Sequence, residues 1–113
     1  MLIVDDHAGF RECARRLLEA DGFDVVGEAP DATSAIAAVP EMRPDIVLLD
    51  VQLPDLDGVR AAGRIAALGG DSAIVLTSSR DQSDLIAASA DGAARGFIPK
   101  SELSGAGIRK LVG

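Results

Sequence analysis

Short apolar runs alternate along this chain with segments in which apolar residues recur at helical spacing, and this alternation constrains the fold most strongly. Strands that alternate with helices through short connections form a parallel sheet with helices on both faces and right-handed crossovers. We therefore predict an α/β fold, a three-layer, doubly wound (βα)5 sandwich built by one domain over residues 1–113. The predicted strands lie at residues 2–4, 25–26, 46–49, 73–76 and 97–98.

Helices are predicted between and after these strands, around residues 10–18, 32–39, 59–68, 82–90 and 108–112. Asp31 and Asp81 precede the second and fourth helices and are predicted N-caps, because a carboxylate there can accept from the free backbone N–H groups of the first turn. Gly69-Gly70 is expected to end the third helix. Glycines near the start of the last helix weaken it by roughly 1 kcal/mol each relative to alanine.

The charge of the chain excludes one broad class of function. The formal net charge is −7, and nucleic-acid surfaces need clustered Lys and Arg. Four of the eleven basic residues nevertheless lie in the last 19 positions, where Glu102 is the only acidic residue. This bias is interpreted either as a solvated basic face or as a docking surface for an acidic partner.

The cysteine content and hydropathy indicate a cellular compartment. A single cysteine, Cys13, cannot form an internal disulfide and is interpreted as a small apolar helix residue, which suits a reducing cytosol. No apolar run approaches membrane-spanning length and no secretory leader pattern opens the chain. We therefore expect a cytoplasmic protein with no membrane partner.

Residues with useful chemistry follow four of the five predicted strands. Asp5 and Asp6 follow the first strand, Asp50 ends the third, Thr77 follows the fourth and Lys100 follows the fifth. In open parallel sheets, ligands bind at the carboxyl ends of the strands. Each residue alone has an ordinary explanation as a cap, a strand end or a surface residue, but together they predict one site with three carboxylates, a hydroxyl and an ammonium group.

Three clustered carboxylates repel one another and need a cation between them. Oxygen ligands suit Mg²⁺, and these positions carry no Cys or His for a softer metal. A carboxylate beside such a cation can act as a nucleophile towards phosphorus and form an acyl phosphate. The predicted chemistry is therefore phosphoryl transfer, with charge neutralised by Mg²⁺, by Lys100 and by backbone N–H groups after Asp50.

The same segments resemble the receiver domain of bacterial two-component response regulators. The matching motifs are Leu-Ile-Val-Asp-Asp-His at 2–7, Asp-Ile-Val-Leu-Leu-Asp-Val-Gln-Leu-Pro at 45–54, Asp-Gly at 57–58, Ile-Val-Leu-Thr-Ser at 74–78 and Gly-Phe-Ile-Pro-Lys at 96–100. The resemblance covers nearly the whole chain, and residues 94–103 are similar in style to the NarL/LuxR-type regulators. It implies a flavodoxin-like, CheY-like fold with strand order 2-1-3-4-5.

The resemblance also implies a role for each site residue. Asp50 is the implied phosphoacceptor, Asp6 a direct Mg²⁺ ligand, Asp5 a ligand mostly through water, and Gln52 a ligand through its backbone carbonyl. Lys100 is implied to contact the phosphoryl oxygens. Thr77 is implied to move towards the phosphoryl group, with Phe97 following as the second switch residue. The switched surface is the face formed by the fourth and fifth helices and the fifth strand.

A sensor histidine kinase is the implied phosphoryl donor, and homodimerisation on phosphorylation is an implied response. The output is expected to be transcriptional control through an output domain outside this chain, without direct nucleic-acid contact by residues 1–113. Self-dephosphorylation is expected to be slow, so the domain is not expected to be an enzyme. Gln52 and Ser79 occupy positions that vary in the family and are expected to tune the lifetime of the phosphoryl group.

Three departures from the family pattern bear on these expectations. Phe97 stands where the family commonly has Tyr, so a hydroxyl hydrogen bond is lost while packing is kept. Ser101, rather than Pro, follows Lys100, which argues against the cis bond often found there. The first strand has only three residues before Asp5, where the family usually has more, and this should lower stability without removing the site.

Other interpretations remain open from the sequence. An aspartate-nucleophile phosphatase would need a second Asp two positions after Asp50, where this chain has Gln52. A stand-alone receiver-like module that binds other proteins without phosphorylation has no physical need for clustered carboxylates. His7 adjoins the acid pair but is interpreted as a solvated residue of the first helical turn rather than as a metal ligand or phosphohistidine.

Overall fold

The computed structural model describes residues 1–79 and 93–113. Within these ranges, five parallel strands form one sheet in the order β2-β1-β3-β4-β5. The predicted α/β class and strand order are therefore confirmed. The strands are β1 (Leu2–Val4), β2 (Gly27–Ala29), β3 (Ile46–Asp50), β4 (Ala73–Ser78) and β5 (Gly96–Pro99).

Helices cover both faces of the sheet because side chains alternate along each strand. The described helices are α1 (Ala8–Ala20), α2 (Ala32–Met42), α3 (Gly58–Ala67) and α4 (Gly105–Val112), with a 3-10 turn at Lys100–Glu102. Leu49 and Leu76 belong to an apolar core that includes α2 and α3. Leu48 and Val75, their chain neighbours, belong to a second core that includes Ala14 and Leu18 of α1 and Ile108 of α4.

Side-chain caps fix the starts of three helices. The Asp31 carboxylate accepts from the backbone N–H of Ser34 at 2.7 Å, which confirms its predicted role at α2. Asp57 caps α3 in the same way, and Ser104 caps α4. The Ser104 cap offsets the weak helix preference of the glycines in the first turn of α4, because it satisfies one of the free N–H groups there.

The prediction of the second strand was wrong in position. Val25 and Val26 were expected to form it, but β2 begins two residues later, at Gly27, and pairs with β1 from Leu2↔Gly27 to Val4↔Ala29. Val25 instead packs in the core beneath α1, whereas Val26 is 45% exposed. The apolar pair therefore marked the approach to an edge strand whose own sequence, Gly-Glu-Ala, carries little strand preference.

Smaller differences concern element limits. α3 begins at Gly58 rather than at 59, and β4 extends to Ser78, so that Thr77 lies inside the strand. The predicted helix at residues 82–90 and its cap Asp81 lie outside the described residues. Cys13 lies in α1 and is exposed. The peptide bond between Lys100 and Ser101 is trans, as the absence of proline after the lysine predicts.

In the part of the chain that the structure describes, no helix has both the length and the apolar character needed to cross a membrane.

Candidate functional site

The alternation of side chains along the strands brings the predicted site residues to one face of the sheet. Asp5, Asp50, Thr77 and Lys100 each lie two residues after a residue of the second core. Those core residues are Ile3, Leu48, Val75 and Ile98. Because successive side chains on a strand point to opposite faces, a step of two residues keeps the same face. The polar site residues thus lie on the same face of the sheet as the second core, at the carboxyl ends of the strands.

Lys100 joins two buried carboxylates at this end. Its Nζ lies 2.6 Å from Oδ2 of Asp5 and 3.4 Å from Oδ2 of Asp50. Both aspartate side chains are buried, and the Lys100 side chain is only 17% exposed. The sequence separates Asp50 and Lys100 by 50 residues, and the two meet because, among the described strands, β4 alone lies between β3 and β5.

The surroundings of Asp50 disfavour the ionised form of its carboxylate. Burial raises its pKa, the backbone N–H of Gln52 at 3.0 Å from Oδ1 opposes that rise, and the negative charge of Asp5 adds to it. Lys100 lowers the pKa by a smaller amount, and the net pKa stays above its ordinary value. A cation close to Asp50 would relieve both the burial penalty and the repulsion.

Lys100 stays firmly charged in this setting. Burial alone lowers its pKa, but the hydrogen bond to Asp5 and the charges of Asp50 and Asp5 outweigh burial and leave the pKa raised. The ammonium also lies 4.3 Å from the centroid of the Phe10 ring, within cation–π range. Phe10 of α1 therefore helps to hold the lysine over the two carboxylates.

Asp6 and His7 complete the polar cluster on its solvent side. Asp5, Asp6, His7 and Asp50 each offer one ligand atom, and these atoms all lie within 4.8 Å of one another. Three of the four are carboxylate oxygens, which are the ligands that Mg²⁺ prefers. The chemistry of this donor set and the raised pKa of Asp50 therefore fit a divalent cation. The backbone carbonyl of Gln52 stays a predicted ligand.

Thr77 lies opposite Asp50 in the pairing of β3 with β4. Its side chain is fully buried, and its hydroxyl has no hydrogen-bond partner among the described residues. An unpaired buried hydroxyl costs about 1–3 kcal/mol, so a new acceptor near Asp50 would be favourable for it. Phe97 lies on β5, partly buried against the core on the α2 and α3 side.

The loop after Asp50 is held very close to the start of α3. The backbone N–H of Gly58 donates to the carbonyl of Val51 at 2.7 Å. A Cβ at Gly58 would collide with the carbonyl oxygen of Asp50 and would lie 2.6 Å from the Cα of Val51. Glycine is therefore required by close approach of two backbones, and it fixes the path of the chain immediately after the candidate nucleophile.

Two residues near the site were missed from the sequence. Arg11 donates to the backbone carbonyl of Asp5 at 2.5 Å and pairs with Glu28 of β2 at 3.1 Å, so it ties the acid pair to the neighbouring strand. Phe10 lies at the start of the predicted first helix, and the sequence assigns it no role at the site. No local pattern marks either role, because both depend on how α1 lies on the sheet.

Asp55 is a third residue whose role the sequence did not indicate. Its carboxylate accepts from the N–H groups of Ala32 and Thr33, both at 2.9 Å, and from the Thr33 hydroxyl at 2.5 Å. These bonds, that of the Thr33 hydroxyl first, lower the pKa of Asp55 to about 2. Asp55 thus fastens the loop after β3 to the start of α2, outside the charged cluster.

Known proteins resemble this chain in sequence and in fold. The family model described as "Response regulator receiver domain" matches residues 1–111. The chemotaxis protein CheY of Bacillus subtilis is 32% identical over 100 residues, which cover 88% of this chain and 83% of CheY. The DNA-binding response regulator MtrA of Mycolicibacterium paratuberculosis is 38% identical over 95 residues, which cover 82% of this chain and 41% of MtrA.

A solved structure agrees with these relatives. The signal receiver domain of NarL from Mycobacterium tuberculosis superposes with a TM-score of 0.85 at 31% identity, covering 99% of this chain and 94% of that domain. The chain therefore belongs to the response regulator receiver domain family of two-component systems. It spans about half the length of several transcription regulators that it matches.

Proposed function

We propose that this chain accepts a phosphoryl group on Asp50 from the phosphohistidine of a sensor histidine kinase, in a reaction that requires Mg²⁺. The observation that carries the proposal is the buried Asp50 carboxylate, which faces the ammonium of Lys100 at 3.4 Å with a second buried carboxylate, Asp5, beside the same lysine. A structural ion pair would need only one carboxylate for one ammonium group. The second carboxylate is surplus to that need and suits a site built for a cation.

In the proposed transfer, an oxygen of the Asp50 carboxylate attacks phosphorus while the P–N bond of the phosphohistidine breaks. The imidazole leaves with the electron pair of that bond, and Asp50 becomes an acyl phosphate. Mg²⁺, held by Asp5, Asp6, Asp50 and the backbone carbonyl of Gln52, would neutralise negative charge on the phosphoryl oxygens. Lys100 already lies beside Asp50 and adds a second positive charge for those oxygens.

Thr77 and Phe97 are proposed to transmit the phosphorylation of Asp50 to the surface of the domain. The unpaired Thr77 hydroxyl lies opposite Asp50 in the strand register, so a phosphoryl oxygen gives it the acceptor that it lacks among the described residues. Movement of Thr77 changes the packing next to β5, where Phe97 is only partly buried. The added charge of about −1.5 to −2 thus becomes a change in the surface around β5 and α4.

The wider role follows from the same proposal. Residues 1–113 act as one receiver domain in the cytoplasm, with a sensor kinase as donor and, on phosphorylation, a second copy of the chain as a partner. Transcription is controlled through an output domain, without nucleic-acid contact by this domain, as suggested by similarity to a protein named as a DNA-binding response regulator. The chain is a phosphoacceptor that loses its phosphoryl group slowly, rather than a turnover enzyme.

Acetyl phosphate labelling tests the proposed phosphoacceptor directly. Wild-type protein with Mg²⁺ should gain the mass of one phosphoryl group, and Asp50→Asn should gain none. Asp45→Asn is the matched control, because Asp45 precedes the same strand at the opposite end of the sheet and is exposed. Equal labelling of Asp50→Asn and wild type would show that another residue accepts the phosphoryl group.

Beryllofluoride with Mg²⁺ tests the proposed switch by mimicking the phosphoryl group. Amide NMR signals of Thr77 and β5 should shift in wild type and stay unchanged in Asp50→Asn. A wild-type spectrum that does not respond would instead favour an interaction module that works without phosphorylation.

A further inference from the structure

His7 occupies an unusual place at the edge of the acid cluster. It is the N-cap residue of α1, with extended backbone angles of φ −95 and ψ 107, yet its side chain makes no capping hydrogen bond. Its backbone N–H donates to Oδ1 of Asp5 at 2.8 Å. Asp5 therefore holds the backbone of His7 in place, while the imidazole is not needed to cap the helix.

The imidazole is solvated, as the sequence predicts, but its Nδ1 also faces the acid pair. Nδ1 lies 3.0 Å from Oδ1 of Asp6 and 3.2 Å from Oδ1 of Asp5, although 72% of the side chain is exposed. Two carboxylate oxygens and one ring nitrogen thus point at one another. This arrangement is compatible either with a hydrogen bond donated by Nδ1–H to the carboxylates or with a metal ion bound by all three atoms.

The spacing of the cluster suits a shared metal ion. The ligand atoms of Asp5, Asp6, His7 and Asp50 lie within 4.8 Å of one another. Two ligands on one ion with bonds of roughly 2.0–2.2 Å lie no more than about 4.4 Å apart. A contraction of a few tenths of an ångström therefore brings every pair of these atoms within the separation that two ligands of one ion can have. His7 is exposed enough to make that movement without disturbing the core.

We propose, on the basis of the cation site in the proposed function, that Nδ1 of His7 is a direct metal ligand and that it shifts the site towards first-row transition ions relative to Mg²⁺. Imidazole nitrogen binds these ions more strongly than it binds Mg²⁺, which prefers oxygen ligands. The mixed set of three carboxylates and one imidazole thus accepts Mg²⁺ through its oxygens and gains an extra bond when the ion is Mn²⁺.

Mn²⁺ is the best probe because its EPR spectrum reports ligand nitrogens and because it is less attracted than later metals to the exposed thiol of Cys13. The sequence contains one histidine. In tag-free protein, any coupling that changes when histidine is labelled with ¹⁵N must therefore come from His7. We expect pulsed EPR of the Mn²⁺-loaded chain to show an imidazole nitrogen coupling that responds to this labelling.

Affinity measurements provide the second half of the test. Titration calorimetry should show that His7→Ala weakens Mn²⁺ binding at least about tenfold, while Mg²⁺ binding changes by less than about threefold. His7→Asn should resemble His7→Ala. Gly9→Ala is the matched control in the same helical turn, because a Cβ there meets nothing within 4 Å, and it should bind both ions as wild type does.

The outcomes separate this inference from the proposed function. Mn²⁺ bound to wild type without a histidine coupling, or with equal affinity in His7→Ala, overturns the role of His7 and leaves the cation site intact. Tighter binding of both ions by His7→Ala also overturns it, because His7 would then be a competing positive charge. Wild type that binds neither ion contradicts the cation site itself and the Mg²⁺ requirement of the proposed function.

Discussion

Asp50 ends β3 and Asp55 lies five residues later in the loop that follows, and their surroundings differ in almost every respect. Asp55 is exposed but receives three hydrogen bonds from the start of α2, and its pKa falls to about 2. Asp50 is buried, receives one backbone hydrogen bond and lies near another carboxylate, and its pKa is raised. The fold satisfies the Asp55 carboxylate with hydrogen-bond donors, whereas Asp50 shares the one ammonium group of Lys100 with Asp5 and keeps a raised pKa.

This contrast separates a structural carboxylate, Asp55, from the proposed phosphoacceptor, Asp50. Hydrogen bonds that favour the ionised form lower the pKa and hold the side chain in place. A carboxylate that the protein buries without enough donors stores unfavourable free energy that a cation or a phosphoryl transfer can release. The loop between the two residues therefore joins an anchor at Asp55 to the proposed phosphoacceptor Asp50.

The largest expected effect comes from removing the charge of Asp50. Because the folded protein disfavours its ionised form, Asp50→Asn should raise the free energy of unfolding at neutral pH by about 0.5–2 kcal/mol, while labelling by acetyl phosphate is abolished. Urea denaturation measures the first effect. A less stable Asp50→Asn protein would mean that the ion pair with Lys100 outweighs the cost of burial, and the contrast with Asp55 would weaken.

Removing the positive partner should act in the opposite direction on stability. Lys100→Met leaves Asp5 and Asp50 close together without their shared ammonium, which should lower the free energy of unfolding by about 1–3 kcal/mol. The labelling rate should fall roughly 100-fold. Lys110→Met, in the last turn of α4, is the control and should label normally. Normal labelling of Lys100→Met at saturating Mg²⁺ would remove Lys100 from the proposed chemistry.

A substitution at Gly58 tests whether the backbone path of the loop between Asp50 and Asp55 matters for the labelling of Asp50. Gly58→Ala forces the backbone at Asp50 and Val51 to move, which should cost about 1–3 kcal/mol and slow labelling. Gly63→Ala is a sharp control on the same helix, because its Cβ meets nothing within 4 Å. It should stabilise the protein by up to about 1 kcal/mol. If both variants label equally fast, the path of this loop does not matter for Asp50.

The smallest expected effect is on the pH dependence of stability. The pKa of Asp55 is depressed, so its stabilising contribution is present above the ordinary value of 3.8 and is lost as the pH falls towards about 2. Asp55→Asn should therefore show a smaller loss of melting temperature than wild type between pH 5 and pH 2, and Thr33→Val an intermediate loss. Identical pH profiles for wild type and Asp55→Asn would contradict the anchoring role.

Much of this arrangement could be predicted from the sequence, because the alternation of elements fixes which residues reach the carboxyl end of a parallel sheet. Asp5, Asp50, Thr77 and Lys100 could all be assigned to that end before their contacts were known. β2 was misplaced because an edge strand needs only backbone pairing and its residues carry little preference for a strand.

The parts that could not be predicted depend on distances between elements that are remote in the chain. The orientation of the His7 ring depends on the first turn of α1, and the stacking of Phe10 on Lys100 joins residues that are ninety positions apart. The hydrogen bonds of Asp55 join a loop to the start of another helix, 23 residues earlier. No local pattern of residue types encodes such contacts.

The placement of the three phenylalanine rings has a practical consequence for spectroscopy. The chain contains no Trp or Tyr, so ordinary ultraviolet fluorescence cannot follow its transitions. Phe10 lies under Lys100, Phe23 lies 4.7 Å from the guanidinium of Arg109, and Phe97 packs from β5 against the other face of the sheet. Fluorine-labelled phenylalanine would thus give three NMR signals, one for each of three surroundings, from a single biosynthetic label.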